Sequence, residues 1–468
     1  MIELRPQQHL AMQSIRDAYA QGFKAPLLVA PCGFGKTVVF SAMAESAEKR
    51  RKRVLILCHR VELVDQIVAT LKDFGVHPDI IAAGFQRSNG RSRAGNRSIA
   101  VASVQTLVRR LDEYPPPTLI TIDECHHAVS AQWSTVIRKF PEAKLLGVTA
   151  SPIRGDSRGL GAMFDKLILG PTVTELTDAG LLAKARIFAP PTVDTSGLHL
   201  RAGEYKTEES EALMDKPTIT GDAFSHYKQH ANGKPALAFC TSVAHSHHVA
   251  EHLRKQDVAA VALDGNTDRQ IRRMAVDDFR RGAIRVLAQC DLANEGFDIP
   301  GVHCGIFLRP TASLGLWIQQ MGRCMRIAPG KTDAILLDHV GNTTRLGLPT
   351  DERNWELTPD IERRKKDAKP GVRVCLKCFA ASPPYAKSCG ECGAVFPVKA
   401  REELEQRDGT LVEITPEELA RKRERREQGM AQTREQLLAV ARIKGWNPRR
   451  VDYILAGRER KKLKKETA

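Results

Sequence analysis

Residues 29 to 40 read VAPCGFGKTVVF, and no other stretch narrows the possible folds so far. Residues 27–30 form a short apolar run before the loop, and residues 38–49 carry helical periodicity after it. The pattern A-x-x-x-x-G-K-T therefore sits between a buried strand and a helix, the setting of a phosphate-binding loop. In such a loop the backbone N–H groups turn inward around phosphate oxygens, and the helix N-terminus adds positive potential. Gly33 and Gly35 let the chain approach its ligand without a Cβ. Lys36 is expected to reach the β and γ phosphates, and Thr37 to hold Mg²⁺ through its hydroxyl. A Gly-Lys-Thr also arises by chance in βα turns, so the rest of the chain has to supply context.

Apolar strand-like runs recur with room for a crossover helix between them. The first series covers residues 27–30, 54–58, 99–103, 119–123 and 145–149; the second covers 236–241, 259–264, 284–289, 303–308 and 334–338. Two parallel α/β sheets in tandem follow from that spacing. Residues 189–217 are richer in Pro, Thr, Gly and charge than in periodic apolar residues, which marks a linker. The expected organisation is a first α/β domain at 1–188, the linker at 189–217 and a second α/β domain at 218–345. A connection at 346–370, a four-cysteine module at 371–398 and a charged, largely helical basic tail at 399–468 complete it.

Polar residues gather where these strands end, the edge at which open α/β sheets bind ligands. The stretch DECHH begins at Asp123. Beside a phosphate loop, Asp123 is expected to complete the Mg²⁺ shell and Glu124 to orient and deprotonate an attacking water. His126 and Thr149 are candidates for relaying the state of the γ-phosphate to the second half. In that half, QQMGRCMR at 319 to 326 has helical character and puts Gln319, Arg323 and Arg326 on neighbouring turns. Those arginines meet a γ-phosphate only if the halves close on each other, the arginine-finger arrangement.

The composition, 42% hydrophobic and 27% charged, is that of a globular protein, without the run of about 18 apolar residues that crosses a bilayer. The start, MIELRPQQHL, has no basic segment followed by an apolar one, so a secretory signal is not expected. Seven dispersed cysteines show no framework spacing, which suits a reducing, cytoplasmic compartment. No membrane partner is expected. Net charge is +16, and residues 361–468 hold 27 basic against 16 acidic side chains. A concentrated basic tail favours a polyanion through counterion release; a merely solvated tail is the alternative.

Cys375, Cys378, Cys389 and Cys392 form C-x₂-C-x₁₀-C-x₂-C. Two tight knuckles presenting four thiolates suit tetrahedral Zn²⁺ in a structural role, with a redox pair as the alternative. Basic flanks make nucleic-acid contact a better expectation for this module than scaffolding alone. His245, His247, His248 and His252 lack cysteine or carboxylate company and read as ordinary surface residues.

Taken in order, LRPQQ at 4 to 8, APCGFGKT, HRVELVDQ, SVQTL, DECH, TAS, NEGFDIP and QQMGRCMR resemble the motifs of the superfamily-two helicases of the DExH type over residues 1–345. LLDHVGNTTRLGLPTDERNWEL at 336 to 357, followed by the four-cysteine segment, adds a resemblance to helicases encoded by phages and prophages, which implies the cytoplasm of a bacterial or phage-infected host cell. The resemblance implies two RecA-like domains with ATP between them and a nucleic-acid strand, DNA before RNA, across both, driven by a monomeric motor. By position it implies adenine contacts from Arg5 and Gln8, γ-phosphate contacts from Gln319, Arg323 and Arg326, and a nucleotide-facing Gly296 and Asp298. Arg60, Gln105, Thr106 and Thr241 would lie near the nucleic-acid backbone, and Ser151 would join His126 and Thr149 in coupling. Cys32, Phe34 and Ser151 depart from the commoner residues at their positions. An RNA-dependent ATPase and a non-motor zinc-containing scaffold are the alternatives.

Overall fold

The computed structural model describes residues 2–85, 97–128, 131–154, 159–190, 195, 197–201, 203–215, 217–290, 292, 299, 301–358, 371–396, 433–444, 447, 451–452 and 454–456. The chain divides into two units, Met1–Pro397 and Val398–Ala468. The larger unit holds two parallel sheets.

The first sheet contains β1 (Pro26–Val29), β2 (Val54–Cys58), β3 (Asp79–Ile81), β4 (Ile99–Ser103), β5 (Leu119–Asp123), β6 (Lys144–Thr149) and β7 (Lys166–Leu169). They run in the order β3-β4-β2-β5-β6-β1-β7. The five interior strands are the ones legible as apolar runs, because helices cover both faces and every side chain except the first of β5 and of β6 is buried. β3 and β7 escaped the sequence reading because they are edges, each only partly buried. The order matters for chemistry. It sets β5, β6 and β1 side by side, so Asp123, Thr149 and the phosphate loop emerge at one sheet edge.

The second sheet contains β8 (Lys184–Phe188), β11 (Ala236–Phe239), β12 (Ala260–Leu263), β13 (Val286–Gln289), β14 (Cys304–Phe307) and β15 (Asp333–Asp338), in the order β12-β13-β11-β14-β15-β8. Between β8 and β11, β9 (Leu200–Arg201) and β10 (Glu204–Tyr205) make a small antiparallel ladder. Residues 184–188 were expected in the first domain, yet β8 pairs in parallel with β15. The reading missed this because the half-buried KARIF run shows no alternation that names its partner. The chain crosses between lobes before residue 184, at Leu182 and Ala183, where Ala183 N–H donates to Met325 O at 2.8 Å.

After β15 the chain returns to the first lobe. Trp317 Nε1–H holds Gly347 O at 3.0 Å and Leu348 is buried in the second core. Trp355 and Leu357 then pack on the first core, where Gly161 N–H donates to Leu357 O at 2.8 Å. The four-cysteine module, with β16 (Arg373–Val374) paired to β17 (Ala381–Ser382), docks on the second lobe. Its Cys375, Ala380, Cys389 and Phe396 share a core with Phe188, and Ala189 N–H donates to Phe379 O at 3.0 Å. Arg186 joins the two bodies, contacting Glu391 at 2.6 Å and Asp333 at 3.0 Å.

The smaller unit contains a helix, Arg434–Lys444, within the tail expected to be largely helical. Leu437, Ala441 and Val451 bury against one another, and Arg434 pairs with Asp452 at 3.1 Å. The RKRERR and RERKKLKK runs lie outside the described residues.

Candidate active site

Beyond Val29 the chain enters the loop, and Ala30 N–H donates to Thr149 O at 3.0 Å. Gly33 and Gly35 both hold φ at +90°, the left-handed region in which a Cβ is strained. Lys36 opens the following helix, is buried, and its Nζ donates to Ala30 O at 3.0 Å. Phe34 is 1% exposed and packs into the first core, so the loop is anchored by an apolar side chain. Gln8 Nε2 donates to Phe34 O at 2.9 Å, while its Oε1 accepts from Arg5 N–H at 3.0 Å. That amide ties the first helix, Pro6–Ala20, to the phosphate loop. Arg5 lines the cavity beyond, whereas Gln8 stands behind the loop.

β5 ends in Asp123, whose Oδ1 accepts from Glu124 N–H at 3.0 Å. Glu124 itself sits at φ 46° and ψ 51°, a left-handed conformation uncommon for a residue with a Cβ. Strain of this kind aims the carboxylate and persists because the surroundings hold it. Burial and then the neighbouring Glu124 charge push the Asp123 carboxyl up to about 7. Burial would raise Glu124 as well, but the charges of Lys36, His126 and Arg323 outweigh it and hold Glu124 below its ordinary value. Glu124 Oε2 is buried without a hydrogen bond, 3.4 Å from His126 Nδ1.

The helix Leu314–Cys324 brings the second lobe to these groups. Lys36, Asp123, Glu124, Gln319, Arg323 and Arg326 all line one cavity of 340 Å³. Gly33, Gly35 and Thr37 line it too, together with Leu63 and Gln66 of HRVELVDQ and with Leu181 and Ile327, which no motif marked. His126 joins the lobes directly. Its Nδ1 lies 3.0 Å from Thr149 Oγ1 and its Nε2 lies 3.1 Å from Gln319 Nε2. Thr149 gives its only proton to Ser151 O at 2.9 Å, so Nδ1 carries the imidazole proton and Nε2 accepts from the Gln319 amide. Burial lowers the His126 pKa, in keeping with a neutral ring.

Such a cavity fits a nucleoside triphosphate with its magnesium. A lysine and three arginines line it beside the Asp123 and Glu124 carboxylates, and one carboxylate oxygen there has no hydrogen bond. Comparison with known proteins agrees. Residues 1–154 match the family described as type III restriction enzyme, res subunit, and residues 216–328 match the helicase conserved C-terminal domain. A 51.5 kDa protein of a Lactococcus phage is 33% identical over 84% of this chain and 83% of its own length. The chain belongs to the superfamily-two helicases. A Saccharomyces cerevisiae protein named as an ATP-dependent helicase, IRC3, is 28% identical over 75% of the chain, which spans 55% of that relative. A fragment described as an HsdR subunit of a type I restriction enzyme from Vibrio vulnificus shares the fold. It is 22% identical with a TM-score of 0.58, over 74% of this chain and 66% of the fragment.

The helicase therefore has two RecA-like lobes and hydrolyses ATP. Gly296 and Asp298 lie outside the described residues. Of the expected nucleic-acid residues, Gln105 is exposed and donates to His59 O at 2.9 Å, and Thr106 Oγ1 accepts from Ser103 Oγ at 2.9 Å. Arg60 is half-buried. Thr241 is buried, with Oγ1 at 2.8 Å from His245 Nδ1, so its hydroxyl faces inward. His245 is correspondingly a core residue, contrary to its reading as surface, and His248 has the carboxylate of Asp215 at 2.7 Å. Among the described residues no helix is long and apolar enough to cross a membrane.

The four cysteine sulfurs of the helicase lie within 4.8 Å of one another, with Cys375 to Cys392 and Cys378 to Cys389 at 3.6 Å. Tetrahedral Zn–S bonds of ~2.3 Å place sulfurs ~3.8 Å apart, so the spacing fits that ion. The N–H groups of Cys378 and Lys377 lower the Cys375 thiol to about 7, toward the thiolate a metal needs.

Proposed function

We propose that this helicase is a DNA motor, in which ATP hydrolysis between the lobes drives movement along a phosphate backbone. The observation that carries the reading is the meeting of Lys36, Asp123 and Glu124 from one lobe with Gln319, Arg323 and Arg326 from the other around a single cavity. Bound Mg²⁺, held by Thr37 and Asp123, would supply charge to the β and γ phosphate oxygens. Lys36 leaves Ala30 O for the phosphates. Glu124, ionised by its cationic neighbours, takes the proton of the attacking water, and Arg323 and Arg326 face the charge that develops on the γ-phosphate. His126 reports that state to the second lobe through Gln319.

The choice of DNA rests on the first-lobe match to a family named for restriction enzymes and on the positive charge of the chain. The cysteine module supports a single-strand contact, with Zn²⁺ in the structural role. Leu376, Tyr385 and Val395 are 76%, 83% and 80% exposed, and Lys377 and Lys387 stand among them in sequence. Arg373 bonds Ala386 O at 3.1 Å beside Tyr385, and the only acid of residues 371–396, Glu391, is already paired with Arg186. Lysines and an exposed tyrosine ring on one small module suit a strand with phosphates outside and bases to stack. The deciding experiment measures ATP turnover with single-stranded, duplex and branched DNA and with RNA. DNA is expected to stimulate wild type most, Lys36→Ala to lose turnover, and Glu124→Gln to bind ATP without hydrolysing it. Greater stimulation by RNA would overturn the choice of DNA; turnover by Glu124→Gln at the wild-type rate would overturn the assignment of the base.

A further inference from the structure

The helix Leu314–Cys324 contains two glycines, Gly315 and Gly322, although glycine in a helix costs roughly 0.5 to 1 kcal/mol against alanine. Neither holds a positive φ, so the backbone does not demand them. Their surroundings do. A Cβ on Gly315 would lie 2.8 Å from Ser151 Oγ, and one on Gly322 would lie 2.6 Å from Cys32 Cβ. Both neighbours belong to the first lobe. Gly315, Gln319 and Gly322 stand at i, i+4 and i+7, one face of the helix. Gln319 reaches His126 from the same face at 3.1 Å. This face is therefore a seam on which the arginine-bearing helix closes against the phosphate loop and the Thr149–Ser151 turn.

Gly322 lies inside the arginine motif, but Gly315 lies before it and has no ligand of its own. We propose that Gly315 is a positioning residue for ATP hydrolysis: its missing side chain lets the helix settle on Ser151 deeply enough for Arg323 and Arg326 to reach the cavity. Ser151 is 1% exposed and its Oγ, buried without a hydrogen bond, is the atom a Cβ would strike. Ser151 Cβ lies 3.8 Å away, ordinary contact, so the obstruction is the hydroxyl alone. The inference rests on the cavity assignment above and not on the choice of DNA.

The test is Gly315→Ala in the full chain, with ATP turnover measured without nucleic acid, in wild-type and Ser151→Ala backgrounds. Because alanine favours the helix, thermal stability should stay level or rise, while kcat falls roughly ten-fold with little change in KM for ATP. In the Ser151→Ala background the same substitution should change kcat by less than about two-fold, since the obstructing oxygen is gone. The idea is overturned if Gly315→Ala turns over ATP like wild type, or if it loses the same factor whether or not the hydroxyl is present. Loss of turnover in Lys36→Ala alone, with Gly315→Ala unaffected, would keep the cavity assignment and reject the seam.

Discussion

Lys331 ends the loop that follows the arginines, and its ammonium is spent on main-chain carbonyls. It donates to Val302 O at 2.6 Å, to Arg326 O at 2.8 Å and to Cys324 O. Cys324 O ends the helix that carries Arg323, where carbonyls lack helical partners, and Arg326 O lies just beyond its cap. Lys331→Met keeps the apolar stem and removes all three bonds. Hydrogen bonds from a charged donor contribute about 1.5 to 3 kcal/mol each. Burial also pulls the ammonium down to about 8 from 10.5, a shift that already nets desolvation against the contacts of the charged form. The variant leaves three carbonyls without that donor, at about 1 to 3 kcal/mol for each buried group left unpaired, so it is expected to be about 3 kcal/mol or more less stable at pH 7. Urea unfolding at pH 7 measures this, and ATP turnover should drop roughly ten-fold in kcat as the arginine turn loosens. The sign with pH is a second check. The folded chain sheds this proton before the unfolded chain does, so Lys331 makes wild-type stability rise with pH from about 8 to 10.5, and the variant should lack that rise. Equal stability of the two proteins at pH 7, with unchanged kcat, would refute the reasoning.

Burial lowers His339 to about 3 from 6.5, so its contribution is complete above pH 6.5 and is lost as pH falls toward 3. Between pH 6.5 and about 4 this amounts to about 3 kcal/mol, and His339→Phe should flatten that limb of a stability profile. Zinc should be retained at one ion per chain by elemental analysis; Cys389→Ser should lose it and lower the melting temperature of the second lobe, whose core the module shares. For the module face, Lys387→Gln should reduce the salt slope of single-stranded DNA binding by roughly 0.7, and Tyr385→Ala should weaken binding with the slope intact. A Lys387→Gln slope equal to wild type would remove that lysine from the contact.

What was legible from sequence was chemistry that is local to a strand end. The GKT and DECH segments each declare a loop and a charge, and parallel topology then places β1 and β5 on the same edge with only β6 between them. Three of the four edge strands were not legible, since β3, β7 and β8 are too exposed to show a continuous apolar run, whereas β12, apolar throughout, was read from residues 259–264. The harder omissions share a different cause. Gln8 looked like a base reader but spends its amide on Arg5 and Phe34, and Thr241 looked like a backbone contact but turns to His245. Leu182, Gly315 and Lys331, which meet Gly33, Ser151 and Cys324, belong to no motif. Each depends on how closely one surface approaches another, a property of two segments that neither sequence carries alone. A motif can name the groups that meet a phosphate. The distance at which they meet it is set by small residues and buried cations at the seam, and these decide whether binding of ATP becomes its hydrolysis.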